Sequence, residues 1–340
     1  MSSFISNTRD GKMKKIIGLL LVVSLAASLC AGCSKKTESI GMAVEFMDHA
    51  ACAYIAEEKG WFEEEGLNLS AYESYASGMA LAAAIARGDI EVAYLCLVPA
   101  ISAYANANVP IKIIAGTHKY GYGLVVNPEV IQTVQDMETP GLRIGCVQEG
   151  GAVDVVLQKT IDVNGLDREK VMANIQRMSP QKMALAIRTG QLDGAFMPEH
   201  WATLGEEFGF VMMLTSQDVW PEMQGSVLVV KESLLNERPE AAGKLVNVSV
   251  RATDWIHNNP LDAAETVARQ LNSTQTDLPA DMMSDLAVTP EVIYRSMERL
   301  DFTEEIDIEQ IQATIDYMAE LGYISSSFPA EDILDLRFIE

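Results

Sequence analysis

The chain has 340 residues, with 25 Lys+Arg against 48 Asp+Glu for a net charge of -23, and 49% of its residues are hydrophobic. That much apolar material supplies about two domains of ordinary size and excludes a disordered chain. So acidic a chain, with no basic stripe, is repelled by phosphate backbones, which argues against nucleic acid as a partner.

At the amino terminus Lys14 and Lys15 precede an apolar run from Ile16 to Leu29, then Cys30-Ala31-Gly32-Cys33 and polar Ser34-Lys35-Lys36. At about 1.5 Å per residue the run is too short for a roughly 30 Å hydrocarbon core, so it reads as the apolar centre of an export signal. Ala31-Gly32-Cys33 resembles the lipobox of bacterial lipoproteins, although Cys30 stands where Leu or Val is usual. The expectation is a signal peptide over 1–32, translation starting at Met13, lipidation of Cys33, and a lipid-anchored linker over 33–39. The protein is then exported and membrane-anchored. Removing 1–32 leaves 21 basic and 47 acidic residues, a net charge of -26. Cys52, Cys96 and Cys146 are an odd set with neither disulfide framework nor metal spacing, and read as small buried residues.

Along the mature chain, Ile40–Val44 is a strand, Ala51–Phe62 a helix, Leu69–Tyr72 a strand, Gly78–Arg87 a helix and Val92–Leu95 a strand. This is a β-α-β-α-β order that favours an α/β fold with mainly parallel sheets. The stretch Ser77–Leu95 recurs 102 positions later as Ser179–Met197. Ser77/Ser179, Ala82/Ala184, Ala84/Ala186, Ile85/Ile187, Gly88/Gly190 and Ala93/Ala195 are identical without a gap. Upstream, Ile40–Val44 matches Leu142–Val147, and Gly66-Leu67 matches Gly165-Leu166, so one unit occurs twice. Each Ser suits a helix amino terminus and each Gly the left-handed end of the same helix. Beyond the second unit, Ser226–Val230 reads as a strand returning to the first lobe. Glu240–Asn258, Asp262–Leu271, Pro290–Leu300 and Ile308–Leu321 read as amphipathic helices. The expected organisation is two similar open-sheet α/β lobes on a two-strand hinge, with 40–122 plus 225–340 as one lobe and 123–224 as the other.

Ala56-Glu-Glu-Lys-Gly-Trp-Phe-Glu-Glu-Glu-Gly-Leu67 resembles the opening motif of ABC-importer solute-binding proteins of the nitrate, sulfonate and taurine group. That group is related to thiamine-pyrimidine-synthesis-like proteins. Ala84–Tyr94 with Pro99-Ala100, its repeat at Gly190–Phe196, and Trp255–Ala264 are similar to later segments of the group. The resemblance implies a type II periplasmic-binding-protein fold, a monomer that closes on one small ligand without a cofactor and delivers it to permease and ATPase subunits. Candidate ligand residues lie past the strand ends: Asp48 and His49, Ser77 and Gly78, Cys96 and Leu97, then Glu149, Gly150 and Gly151, and Glu199, His200 and Trp201. Helix amino termini at such edges favour anions. Glu149 and Glu199 suit an amine-bearing ligand such as a pyrimidine, which stands second to a nitrate- or sulfonate-type anion. Arg143 is the one arginine expected near the cleft. An enzyme of thiamine-precursor synthesis and a lipoprotein sensor are the rival classes. His49, His118, His200 and His257 are scattered, and no nucleophile elbow or metal motif is present.

Overall fold

The computed structural model describes residues 39–88, 90–273 and 284–339. The expected signal peptide, Cys33 and residues 33–38 of the linker lie outside the described residues.

Among the described residues eleven strands, named in chain order, form two sheets. The first runs β11-β4-β10-β3-β1-β2, from β1 (Ser39–Glu45), β2 (Asn68–Tyr75), β3 (Val92–Cys96), β4 (Ile111–Tyr120), β10 (Gln224–Lys231) and β11 (Leu300–Asp301). The second runs β7-β6-β8-β5-β9, from β5 (Tyr122–Val126), β6 (Ile144–Cys146), β7 (Ile175–Arg177), β8 (Gly194–Pro198) and β9 (Val211–Thr215). The repeat detected in sequence is therefore a repeat of topology: β2-β1-β3 and β7-β6-β8 have the same order, all parallel. Ala43 pairs with Ala93 in one sheet and Gly145 with Ala195 in the other, so the 102-residue offset holds through the central strands.

The sheets are mixed rather than mainly parallel. β10 lies antiparallel to β3 and β4, and β5 antiparallel to β8 and β9. The cause is the hinge. β4 continues into β5 of the other lobe, and β9 leads back towards β10, so each sheet takes in one strand, β5 or β10, that follows a crossing of the chain and runs antiparallel to its neighbours. At the first crossing Tyr120 (φ 65°) and Gly121 (φ 93°) are both left-handed. That conformation is uncommon for a residue with a Cβ. A Cβ on Gly121 would stand 2.5 Å from His49 Nε2, so the packed ring demands glycine there as well.

Helices follow the strands closely. The predicted helix over 51–62 divides into Ala51–Glu58 and Trp61–Glu64 because Gly60 takes the left-handed conformation (φ 70°) that ends a helix. Ala51, Ala53 and Ala56 are fully buried, and this helix packs on the helix Pro239–Asn258, where Cys52 Sγ lies 3.4 Å from Thr253 Oγ1. Gly78–Arg87 buries Leu81 and Ile85, one turn apart on the face toward the sheet. Each contributes about 1.5–3 kcal/mol relative to exposure. Ser77 Oγ accepts from Ala80 N, and Ser179 Oγ from Lys182 N at the head of Pro180–Arg188. Gly88 and Gly190 close those helices in left-handed geometry, φ 100° and 68°. The late helices run Pro239–Asn258, Pro260–Ser273, Pro290–Met297 and Ile308–Glu320. Cys52, Cys96 and Cys146 are free and buried.

Candidate functional site

A cavity of about 520 Å³ lies between the two lobes, lined from both. Its first-lobe face comes from the end of β1 (Glu45, Met47), the turn into Gly78–Arg87 (Ser77, Gly78, Met79), and the start of the helix Leu97–Ala107 (Cys96, Pro99). Its second-lobe face comes from the corresponding ends: Val147 to Glu149, Gly151 to Val153, Arg177 to Pro180, and Pro198. Both sets lie at the carboxyl edges of parallel strands, where open α/β sheets take ligands. That volume suits one small molecule.

Of the residues expected to meet ligand, Ser77, Gly78, Cys96, Glu149 and Gly151 line the cavity. Asp48, His49, Leu97, Gly150, Glu199, His200 and Trp201 do not. Gly150 and Gly151 spend their N–H groups within their own loop, on Asp154 Oδ2 (3.0 Å) and Gln148 O (3.1 Å). Trp201 packs at 6.0 Å from Phe46 and 4.4 Å from His200, measured between ring centroids. Trp220 stands edge-on to Tyr317 and donates to Gln310 Oε1 at 3.1 Å.

Asp48, His49, Glu199 and His200 instead form a buried layer joining the lobes behind the cavity. Gly121 O, at the hinge, accepts from His49 Nε2 at 2.8 Å and from Glu199 N at 2.9 Å. The carbonyl can only accept, so His49 carries its proton on Nε2. Burial then holds the ring neutral, lowering its pKa from the ordinary 6.5 to about 4. His200 Nδ1 is 3.3 Å from Asp48 Oδ1 across the lobes. Burial works against ionisation of Asp48, but the hydrogen bond and charge of His200, with help from His49, bring it down to about 2. Glu199 is 2.9 Å from Arg299 Nη1 and accepts from Thr203 Oγ1 at 2.9 Å. Burial dominates there and raises the carboxyl to about 7. Of the two glutamates singled out in sequence, Glu149 lines the cavity from an exposed loop, and Glu199 is buried outside its lining.

The buried acid in the cavity wall is Glu45, which sequence reading passed over. It is 3% exposed, and Cys96 N donates to its Oε2 at 2.5 Å. Burial pushes its carboxyl upward while hydrogen bonds from Cys96 and the Gly78 N–H pull it back. Gly78 has to be glycine, because a Cβ would stand 2.5 Å from Glu45 Oε1 and 2.6 Å from Pro99 Cγ. The cavity arginine is Arg177 rather than Arg143. Arg177 pairs with buried Asp154 at 2.5 Å and donates to Val147 O at 2.8 Å. Arg143 lies outside the cavity lining, in a surface pair with Asp193 at 2.6 Å. Cys96 Sγ lies 3.8 Å from His49 Nδ1. Burial and the neighbouring Glu45 raise the thiol well above its ordinary value while His49 stays neutral, the reverse of an activated thiolate–imidazolium pair.

Among the described residues no group of three or more His, Cys, Asp and Glu could hold a metal ion, and no helix is long and apolar enough to cross a membrane. The fold is that of periplasmic binding proteins. It superposes on the alkanesulfonate-binding protein SsuA of Xanthomonas axonopodis pv. citri bound to MOPS, with a TM-score of 0.72 at 12% identity over 88% of this chain and 98% of that one. The periplasmic nitrate-binding protein NrtA of Synechocystis PCC 6803 gives 0.71 at 15% identity, over 89% of this chain and 87% of that one. By sequence the chain is 24% identical over 248 residues to BAB2_1146 of Brucella abortus (strain 2308), named as a binding protein, covering 71% of this chain and 74% of that one. YtlA of Bacillus subtilis (strain 168), also named as a binding protein, is 22% identical over 266 residues, 76% of this chain and 78% of that one. The profile of the NMT1-like family matches residues 34–272.

Proposed function

The chain belongs to the NMT1-like family, and from that premise we propose that it is the extracytoplasmic solute-binding component of an ABC importer of the nitrate, sulfonate and taurine group. It closes two lobes, 40–122 with 225–340 and 123–224, on one small ligand and delivers it as a monomer to permease and ATPase subunits. The observation that carries this reading is the cavity of about 520 Å³ lined by both lobes and backed by a two-crossing hinge at Tyr120–Tyr122 and Thr215–Gln224. A site divided between two bodies on such a hinge couples occupancy to shape. The solute-binding proteins among its structural neighbours and the relatives named as binding proteins support the same class.

The apolar amino-terminal run and Cys33 support a protein tethered by lipid outside the cytoplasm. Small-angle scattering of the mature protein should show a smaller radius of gyration when its ligand is added, with the ligand recovered intact. An unchanged radius, or a consumed ligand, contradicts the solute-binding role. Palmitate labelling should disappear in Cys33→Ser, and labelling that persists contradicts the anchor.

A further inference from the structure

The internal repeat allows the two faces of the cavity to be compared position by position. Glu45, Gly78 and Cys96 in the first lobe correspond, at the 102-residue offset, to Val147, Pro180 and Pro198 in the second. All six line the cavity. Gly78 and Pro180 are the first residues of equivalent helices, and Cys96 and Pro198 precede the next pair. In the first lobe the two backbone N–H groups at these helix ends, an arrangement suited to an external anion, are spent on the Glu45 carboxylate. In the second lobe both positions are proline, which has no N–H to give, and the carboxylate position is Val147. Arg177, the cationic side chain of the wall, is tied to Asp154 and Val147 O. Met47, Met79, Met178 and Val153 add apolar surface to the wall, and Ser77, Gln148, Glu149 and Ser179 add polar groups.

We propose that the ligand is a molecule with an apolar, flat or compact body and an N–H donor group, a protonated amine, amidine or amino-heteroaromatic. The N–H group docks on Glu45, and the body rests against Val147, Pro180 and Pro198. A carboxylate offers about four lone-pair directions; the Cys96 N–H, the Cys96 thiol and the Gly78 N–H use three of them, which leaves one for a donor from the cavity. A simple anion would meet the Glu45 charge at one wall and no free backbone donor at the matching positions of the other. The inference rests on the solute-binding reading and names the chemistry of that same site.

The test is a thermal-shift and calorimetric panel on the mature protein in two sets. Benzamidine, benzylamine and 4-aminopyrimidine form one; nitrate, ethanesulfonate and bicarbonate form the other, with benzyl alcohol as the control lacking an amine. At least one N–H donor probe should raise the unfolding midpoint at millimolar concentration, benzyl alcohol should not match it, and Glu45→Gln should weaken that probe roughly tenfold or more. The wild-type panel decides the ligand class without a variant, and the variant assigns the carboxylate. If an anion raises the midpoint and no N–H donor does, the ligand class falls while the solute-binding reading stands. If no probe of either set raises it, the ligand class falls, and lobe closure in scattering decides the solute-binding reading separately. An N–H donor that binds Glu45→Gln as tightly as wild type also overturns the proposal.

Discussion

The two lobes share one topology and one set of helix caps yet present opposite chemistry to the space between them. The first lobe brings a buried carboxylate satisfied by two backbone donors, and the second brings valine and two prolines at the same places. The scaffold tolerates this because its repeat is held by features other than those three positions: the caps at Ser77 and Ser179, the left-handed ends at Gly88 and Gly190, and the paired central strands. A duplicated fold therefore does not imply a duplicated binding surface.

The sharpest way to break the comparison is to substitute equivalent helix starts. Gly78→Ala drives a Cβ into Glu45 and Pro99 and should cost about 3 kcal/mol or more in urea denaturation. Pro180→Ala, at the matching position, should cost under about 1 kcal/mol, since it loses only the pre-set first turn. Equal effects would mean that the two faces are built alike.

The layer behind the cavity gives the next largest effect. His49 stays neutral in the folded protein down to about 4, whereas the unfolded chain takes up its proton near 6.5. Between those values the unfolded state binds more protons, so stability is lost as pH falls from 6.5 to 4, by about 3 kcal/mol from this group. His49→Gln should flatten that stretch of the stability–pH curve. Glu199 acts in the opposite sense. Its carboxyl is raised from 4.5 to about 7, so the folded state holds the extra proton and stability declines as pH rises through that window. Glu199→Gln should remove the decline. A curve unchanged by either substitution would contradict the buried layer.

Smaller effects test what the lobes share. Ser77→Ala and Ser179→Ala should each cost about 1 kcal/mol, alike because each removes one cap bond to a first-turn N–H. The least effect is expected from Glu199→Gln on ligand affinity, within about twofold, because Glu199 is wholly buried on Arg299 and Thr203. A large loss there would return Glu199 to the site.

Much of the architecture was legible in the chain. An ungapped identity of Ser, Ala, Ile and Gly at helical spacing marks a repeated strand–helix–strand, and of the residues read from strand ends Ser77, Gly78, Cys96, Glu149 and Gly151 line the cavity. Asp48, His49, Glu199 and His200 lie outside its lining, where helical turns begin immediately at those strand ends, Asp48–Ala50 and Glu199–Glu207. The turn rotates these side chains into the interlobe layer rather than the cavity. Glu45 was missed because it ends an otherwise apolar strand, within the element rather than past it. Its signal was present in the repeat: an acidic residue opposite Val147, with Gly78 and Cys96 opposite two prolines.

The central claim is that ligand polarity is read by the first lobe and ligand bulk by the second. A crystal structure of the mature protein with a bound N–H donor ligand tests it most directly. The account predicts a ligand nitrogen within about 3.2 Å of a Glu45 carboxylate oxygen and the apolar body against Val147, Pro180 and Pro198. A ligand whose polar group lies on the second lobe, with Glu45 still bonded only to Cys96 and Gly78, would contradict it.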